Sequence, residues 1–90
     1  MNDHKKTNQK YRKRPHEQHH SEWLENISTY LLVCRELTGY SRESLAEEND
    51  INRSLLESVE NANHFPTLKS IFLLCDIYDI SPAELFMDIT

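Results

Sequence analysis

The sequence predicts an all-α fold, a compact set of five short helices, and three observations carry that prediction. One glycine in 90 residues leaves little material for a turn-rich β architecture. Apolar residues recur at helical spacing in separate runs, with polar residues between them. Most of those runs open on a Ser, Thr or Asn whose side-chain oxygen can accept from the unpaired N–H groups of a first turn.

The first helix is expected over residues 22–38, in "SEWLENISTYLLVCRELTG", where Leu24, Ile27, Leu31, Cys34 and Leu37 form the buried stripe with Trp23 and Tyr30 beside it. Ser21 is the expected N-cap, and Glu22 opposes the orphan N–H groups. Gly39, the sole glycine, stands where a left-handed C-cap needs it. The second helix, over 42–48, is capped by Ser41 and buries Leu45 and Ala46, the small alanine allowing another helix close approach. Asn49 and Asp50 then tolerate turn or left-handed geometry. Asn52 caps a third helix over 53–61, whose inner side is Leu55 or Leu56 with Val59. A fourth helix, over 67–78, carries Leu68, Ile71, Phe72, Leu74, Cys75 and Tyr78 and is the most apolar. The fifth, over 82–87, has the strongest local signal. Ser81 is the cap, Pro82 stands at the first helical position, Glu84 closes a capping box and Ile80 is placed as a hydrophobic staple.

Charge divides the chain in two. Residues 1–20 hold six basic and two acidic side chains, a net of +4, whereas residues 21–90 hold four basic and thirteen acidic ones, a net of −9. The first part, "MNDHKKTNQKYRKRPHEQHH", has no apolar periodicity, so 1–20 is expected to be a flexible basic arm and 21–90 the folded domain. A chain of this length buries roughly 60 to 65% of its unfolded surface, enough for one modest core. No apolar run reaches transmembrane length and the N-terminus lacks the apolar core of a signal peptide, which predicts a cytoplasmic protein with no membrane partner. Cys34 and Cys75 each lie in an apolar run and are expected to be reduced, buried packing residues.

From Leu31 to Phe86 the chain resembles the lambda repressor and Cro-like (XRE-type) helix-turn-helix domain, a small bacterial and phage module. The likeness rests on Arg35, Gly39-Tyr40-Ser41, Leu45-Ala46, Ile51, then Leu56, Val59 and Glu60, and finally Pro66, Leu68, Ile71 and "DISPAELF" in that order and spacing. The resemblance implies sequence-specific binding to double-stranded DNA, with the second helix across the backbone and the third in the major groove. By position, Arg42 is then expected near phosphates. Asn52, Arg53, Ser54, Glu57 and Ser58 line the exposed side of the third helix, and Asn61, Asn63 and His64 are backbone contacts in the loop after it. Arg53 is the expected base reader, since its fork fits guanine O6 and N7. Glu57 can accept from cytosine N4. Family likeness also makes Arg35 and Glu60 an internal ion pair that fastens the first helix to the third. In the arm, Lys10, Arg12, Lys13 and Arg14 are expected to reach phosphates.

Three departures stand out. Arg42 replaces a glutamine usual at the start of the second helix, Asp50 replaces the turn glycine and Ala62 a later loop glycine, and the domain is acidic for a DNA binder. Local positive potential, not net charge, decides such contacts. No enzyme is expected: there is one glycine and hence no phosphate-cradling loop, and the serines are explained by capping. "HEQHH" lacks a cysteine or placed acid, so no metal or cofactor is implied. The reading is a small transcriptional regulator acting by operator occupancy as a homodimer, its dimer surface in the fifth helix ("LFMDI") or around Trp23 and Tyr30. The alternative is a protein-interaction module of the same fold, antitoxin-like or accessory, that has lost DNA reading.

Overall fold

The structure, a computed structural model, describes residues 16–87, with side chains from residue 20 onward. Five α-helices follow one another: α1 (His16–Thr38), α2 (Arg42–Asn49), α3 (Arg53–Glu60), α4 (Leu68–Ile77) and α5 (Pro82–Met87). All regular structure among the described residues is helical, and α3 is central, packing against α1 and α2, while α5 packs against α1 and α4.

The core collects one to three stripe residues from every helix. Ile27 and Leu31 of α1 meet Leu45 and Ala46 of α2, Leu56 and Val59 of α3, Ile71, Leu74 and Cys75 of α4, and Leu85 of α5. Leu56, Leu74 and Leu85 are fully enclosed, so α3 presents Leu56 rather than Leu55 as its anchor. Removing each such side chain from water contributes about 2 kcal/mol, and the sum over these residues drives the packing.

Three predicted caps, Ser41, Asn52 and Ser81, form as expected, and Thr67 caps α4 as well. Ser41 Oγ accepts from Ser44 N at 3.1 Å, Asn52 Oδ1 from Ser54 N at 3.3 Å and Thr67 Oγ1 from Ser70 N at 3.1 Å. The capping box of α5 is closed in both directions, Glu84 N donating to Ser81 Oγ at 3.2 Å and Ser81 N to Glu84 Oε2 at 3.3 Å. Gly39 takes the left-handed φ of 82° after α1.

Several expectations are corrected. Helix α1 starts at His16, so Ser21 lies inside it and is no cap, and residues 16–20 belong to the helix rather than to an arm. Extending an existing helix by a turn costs far less than starting one, so the strong stripe downstream carries "HEQHH" with it. Leu37, assigned to the buried stripe, is 81% exposed, and Cys34 is only partly covered. The last turn of α1 turns Arg35 toward Glu60 of α3, which leaves Leu37, two positions on, facing away from the core. Likewise Leu68 and Phe72 of α4 face outward, leaving Ile71, Leu74 and Cys75 inside.

Candidate nucleic-acid interface

Helices α2 and α3, joined by a tight turn, form the site. The turn requires a reversal directly after α2, and Asp50 provides it with φ 54° and ψ 46°. Ile51 N donates back to Ala46 O at 2.9 Å and Asp50 N to Glu47 O at 3.4 Å, the paired bonds of a Schellman C-cap. Ile51 then tucks its side chain against the core and Asn52 starts α3, so the two helices are fixed relative to one another by capping at both ends of the turn.

Beneath this motif lies one carboxylate shared by two arginines. Glu60, whose side chain is 1% exposed, accepts from Arg35 Nε at 2.8 Å (Oε2) and from Arg35 Nη2 at 3.1 Å (Oε1), a two-pronged pair. Its Oε1 also accepts from Arg42 Nε at 2.9 Å. Arg35 further donates from Nη1 to Tyr40 O at 2.9 Å, so one guanidinium ties the end of α1, the loop into α2 and the end of α3. The hydrogen bond to Glu60 holds the Arg35 guanidinium above its ordinary value. The internal Arg35–Glu60 pair is present as the family likeness implied. Missing from the sequence reading was Arg42 as its third member, since nothing in residue spacing places a side chain from position 42 over position 60.

Arg53, the first residue of α3, projects outward with its side chain about half exposed. Glu57 Oε2, one turn on, lies 3.5 Å from its Nε, and Glu43 Oε1 of α2 lies 3.6 Å from its Nη1. A cleft of 390 Å³ runs between these elements, lined by Arg35, Ser41, Arg42, Glu43 and Arg53. It combines three guanidinium groups with the start of α2, where N–H groups point outward.

The remaining expected contacts differ in exposure. Asn52 and Ser54 are exposed at the start of α3, and Glu57 and Ser58 are half-buried further along. Asn52 commits its Oδ1 to the cap and keeps its amide as a donor. Asn61, Asn63 and His64 are exposed in the loop after α3. Lys10, Arg12, Lys13 and Arg14 lie outside the described residues.

Elsewhere the chemistry is that of packing. Burial raises both thiols above their ordinary value, Cys34 further through Cys75 and Glu84, and Cys75 through Glu84. Raised thiols are poor nucleophiles. Among the described residues no group of three or more His, Cys, Asp or Glu side chains is arranged to hold a metal ion. No helix among them is long and apolar enough to cross a membrane.

Five helices with a capped turn between the second and third, over an arginine–glutamate hub, define an all-α helix-turn-helix fold. Among solved structures, a point variant of the restriction–modification controller protein C.Esp1396I is similar, with a TM-score of 0.62 and 22% sequence identity over 74% of this chain and 85% of that one. No protein-family model matches the chain, and no curated protein matches it either.

Proposed function

We propose that the protein binds double-stranded DNA sequence-specifically, with α3 in the major groove and α2 across the backbone, as a small transcriptional regulator acting by operator occupancy. The observation that carries this reading is the cleft of Arg35, Ser41, Arg42, Glu43 and Arg53, where three guanidinium groups and a helix start come together in an acidic domain. Arg42 is anchored through Nε while its side chain remains 30% exposed, which presents the rest of the fork to a phosphate. Arg53, Asn52 and Ser54 face the base edges, with Glu57 and Ser58 on the same side, and Asn61, Asn63 and His64 lie along the backbone. The fold shared with a restriction–modification controller protein supports the regulatory reading.

A homodimer reading two half-sites about one helical turn apart fits the small reading surface. Its support is an apolar groove of 440 Å³ on α1, lined by Thr29, Tyr30, Val33, Cys34, Leu37 and Ile80, with Leu37 left in water. The basic residues Lys10, Arg12, Lys13 and Arg14 add phosphate contacts beyond the domain. The second reading, a protein-interaction module, is favoured by the two carboxylates beside Arg53.

Selection of bound sequences from a random duplex library, using the full chain at moderate salt, tests the proposal. An enriched two-fold motif is the expected result; a folded protein that enriches nothing transfers the function to a protein partner. Within the enriched site, Arg53→Ala is expected to weaken binding by about 1 to 3 kcal/mol with relaxed preference at one base pair. Unchanged affinity for that site removes Arg53 as the reader.

A further inference from the structure

We propose that Glu43 and Glu57 are specificity-determining positioning residues, which splint the guanidinium of Arg53 in the orientation that reads a base edge. The proposal rests on the DNA-reading function above and names how that site discriminates. An arginine on the first residue of a helix has many rotamers, and a mobile fork contacts phosphates as readily as bases. Here two carboxylates from two different helices engage two different nitrogens, Glu57 at 3.5 Å from Nε and Glu43 at 3.6 Å from Nη1. A single contact leaves the planar group free to swing about that contact. Two contacts on separate nitrogens, even long ones, bias both its direction and its plane toward one orientation.

The same arrangement accounts for acids on a surface that meets a polyanion. Glu43 and Glu57 are 74% and 41% exposed, so neither is required by the core. Both separations exceed good hydrogen-bond lengths, so the pairs are weak enough to adjust when a base acceptor arrives. Their charges repel phosphates at any sequence, lowering affinity for all duplexes alike, whereas the orientation they impose helps only where a guanine edge is presented. Discrimination therefore rises while non-specific affinity falls. Simpler roles exist for each acid: Glu43 faces the positive end of α2, and Glu57 forms an i,i+4 pair. Those roles affect stability and leave base preference untouched, and a direct contact of Glu57 with cytosine N4 would confine the loss of preference to Glu57→Ala, whereas a splint loses preference with Glu43→Ala as well.

The test compares the full chain with Glu43→Ala, Glu57→Ala and the double variant. Each is titrated at one salt concentration against the site enriched in the selection and against a random-sequence duplex of equal length. Random-duplex binding is expected to tighten about two- to five-fold as each repelling carboxylate is removed. The preference for the enriched site is expected to fall about five-fold or more in the double variant. A preference that stays constant or rises overturns the splint, and so does a change confined to melting temperature. If the unaltered chain itself shows no preference between duplexes, base reading by Arg53 fails and the splint fails with it; wild-type preference with unchanged variants removes the splint alone.

Discussion

Glu60 holds two guanidinium groups with one carboxylate, and its side chain is almost wholly removed from water. A lone carboxylate there would face a desolvation cost of several kcal/mol; with two charge-assisted partners from α1 and α2 that cost is offset. Glu60→Ala leaves Arg35, itself only 13% exposed, without its partner, and is expected to cost about 3 kcal/mol in urea unfolding. A loss below about 1 kcal/mol would show the hub to be a surface-like pair. Tyr78 lies beside this hub, and its Oη is buried with no hydrogen-bond partner among the described residues. Burial raises the Tyr78 hydroxyl well above the ordinary 10.0, Glu60 and Cys34 add to the rise and Arg35 opposes it. Above pH 10.0 an unfolded tyrosine ionises while the folded one keeps its proton, so the folded state binds more protons and stability falls as pH rises. Tyr78→Phe removes both the orphaned hydroxyl and this titration. The variant is expected to be more stable by about 1 kcal/mol at neutral pH, with a larger advantage at pH 11 than at pH 8 by urea midpoint; an advantage that shrinks on raising the pH contradicts the assignment.

Among the helices, the ends carry most of the design. Among the described residues three non-glycine residues adopt the left-handed conformation, Asp50, Ala62 and Asp79, each with φ between 54° and 56°. Asp79 repeats the geometry of Asp50, with Ile80 N donating to Cys75 O at 2.9 Å and Asp79 N to Asp76 O at 3.3 Å. Paired return bonds and a following isoleucine tucked toward the core fix both turns without glycine. An L-residue in this region carries a steric cost of roughly 1 to 2 kcal/mol, partly recovered by the backbone entropy that glycine would lose. Asp50→Gly is therefore expected to stabilise the fold by about 0.5 to 1 kcal/mol while leaving DNA affinity nearly unchanged, since capping bonds rather than residue type set the α2–α3 angle. Thermal melting and a binding titration check the two halves of that statement separately, and a large affinity change would show that Asp50 tunes the angle itself.

For the whole molecule, charge separation governs association. The first twenty residues carry +4 and the rest −9, and within the domain Arg35, Arg42 and Arg53 gather at the cleft beside α2 and α3. If the six basic residues of the first fourteen each neutralise a phosphate, they alone contribute roughly 5 to the fall of log K per unit of log salt. Removing residues 1–14 is expected to lower the slope by roughly that amount and, on the proposed reading, to leave the enriched motif unchanged, since phosphate contacts position a protein and base contacts specify its sequence. A salt titration of both chains measures it; equal slopes would mean that the arm makes no phosphate contacts.

Sequence by itself determined what local chemistry controls: five helices, the caps at Ser41, Asn52 and Ser81, and the breaks at Gly39 and Asp50. Each depends on residues within one or two turns of one another, where spacing and side-chain type suffice. The Arg35–Glu60 pair was legible through family resemblance alone, because its members stand 25 positions apart. Tertiary structure decided what depends on how far each helix is covered. It placed Leu37 and Phe72 in water although both fit an apolar stripe, and extended α1 back to His16. It also brought Arg42 onto Glu60 and set Glu43 against Arg53 across the α2–α3 turn. Long charged side chains choose partners by reach through space, which residue spacing along the chain does not encode, so the electrostatics of the reading head emerged only once the helices were packed.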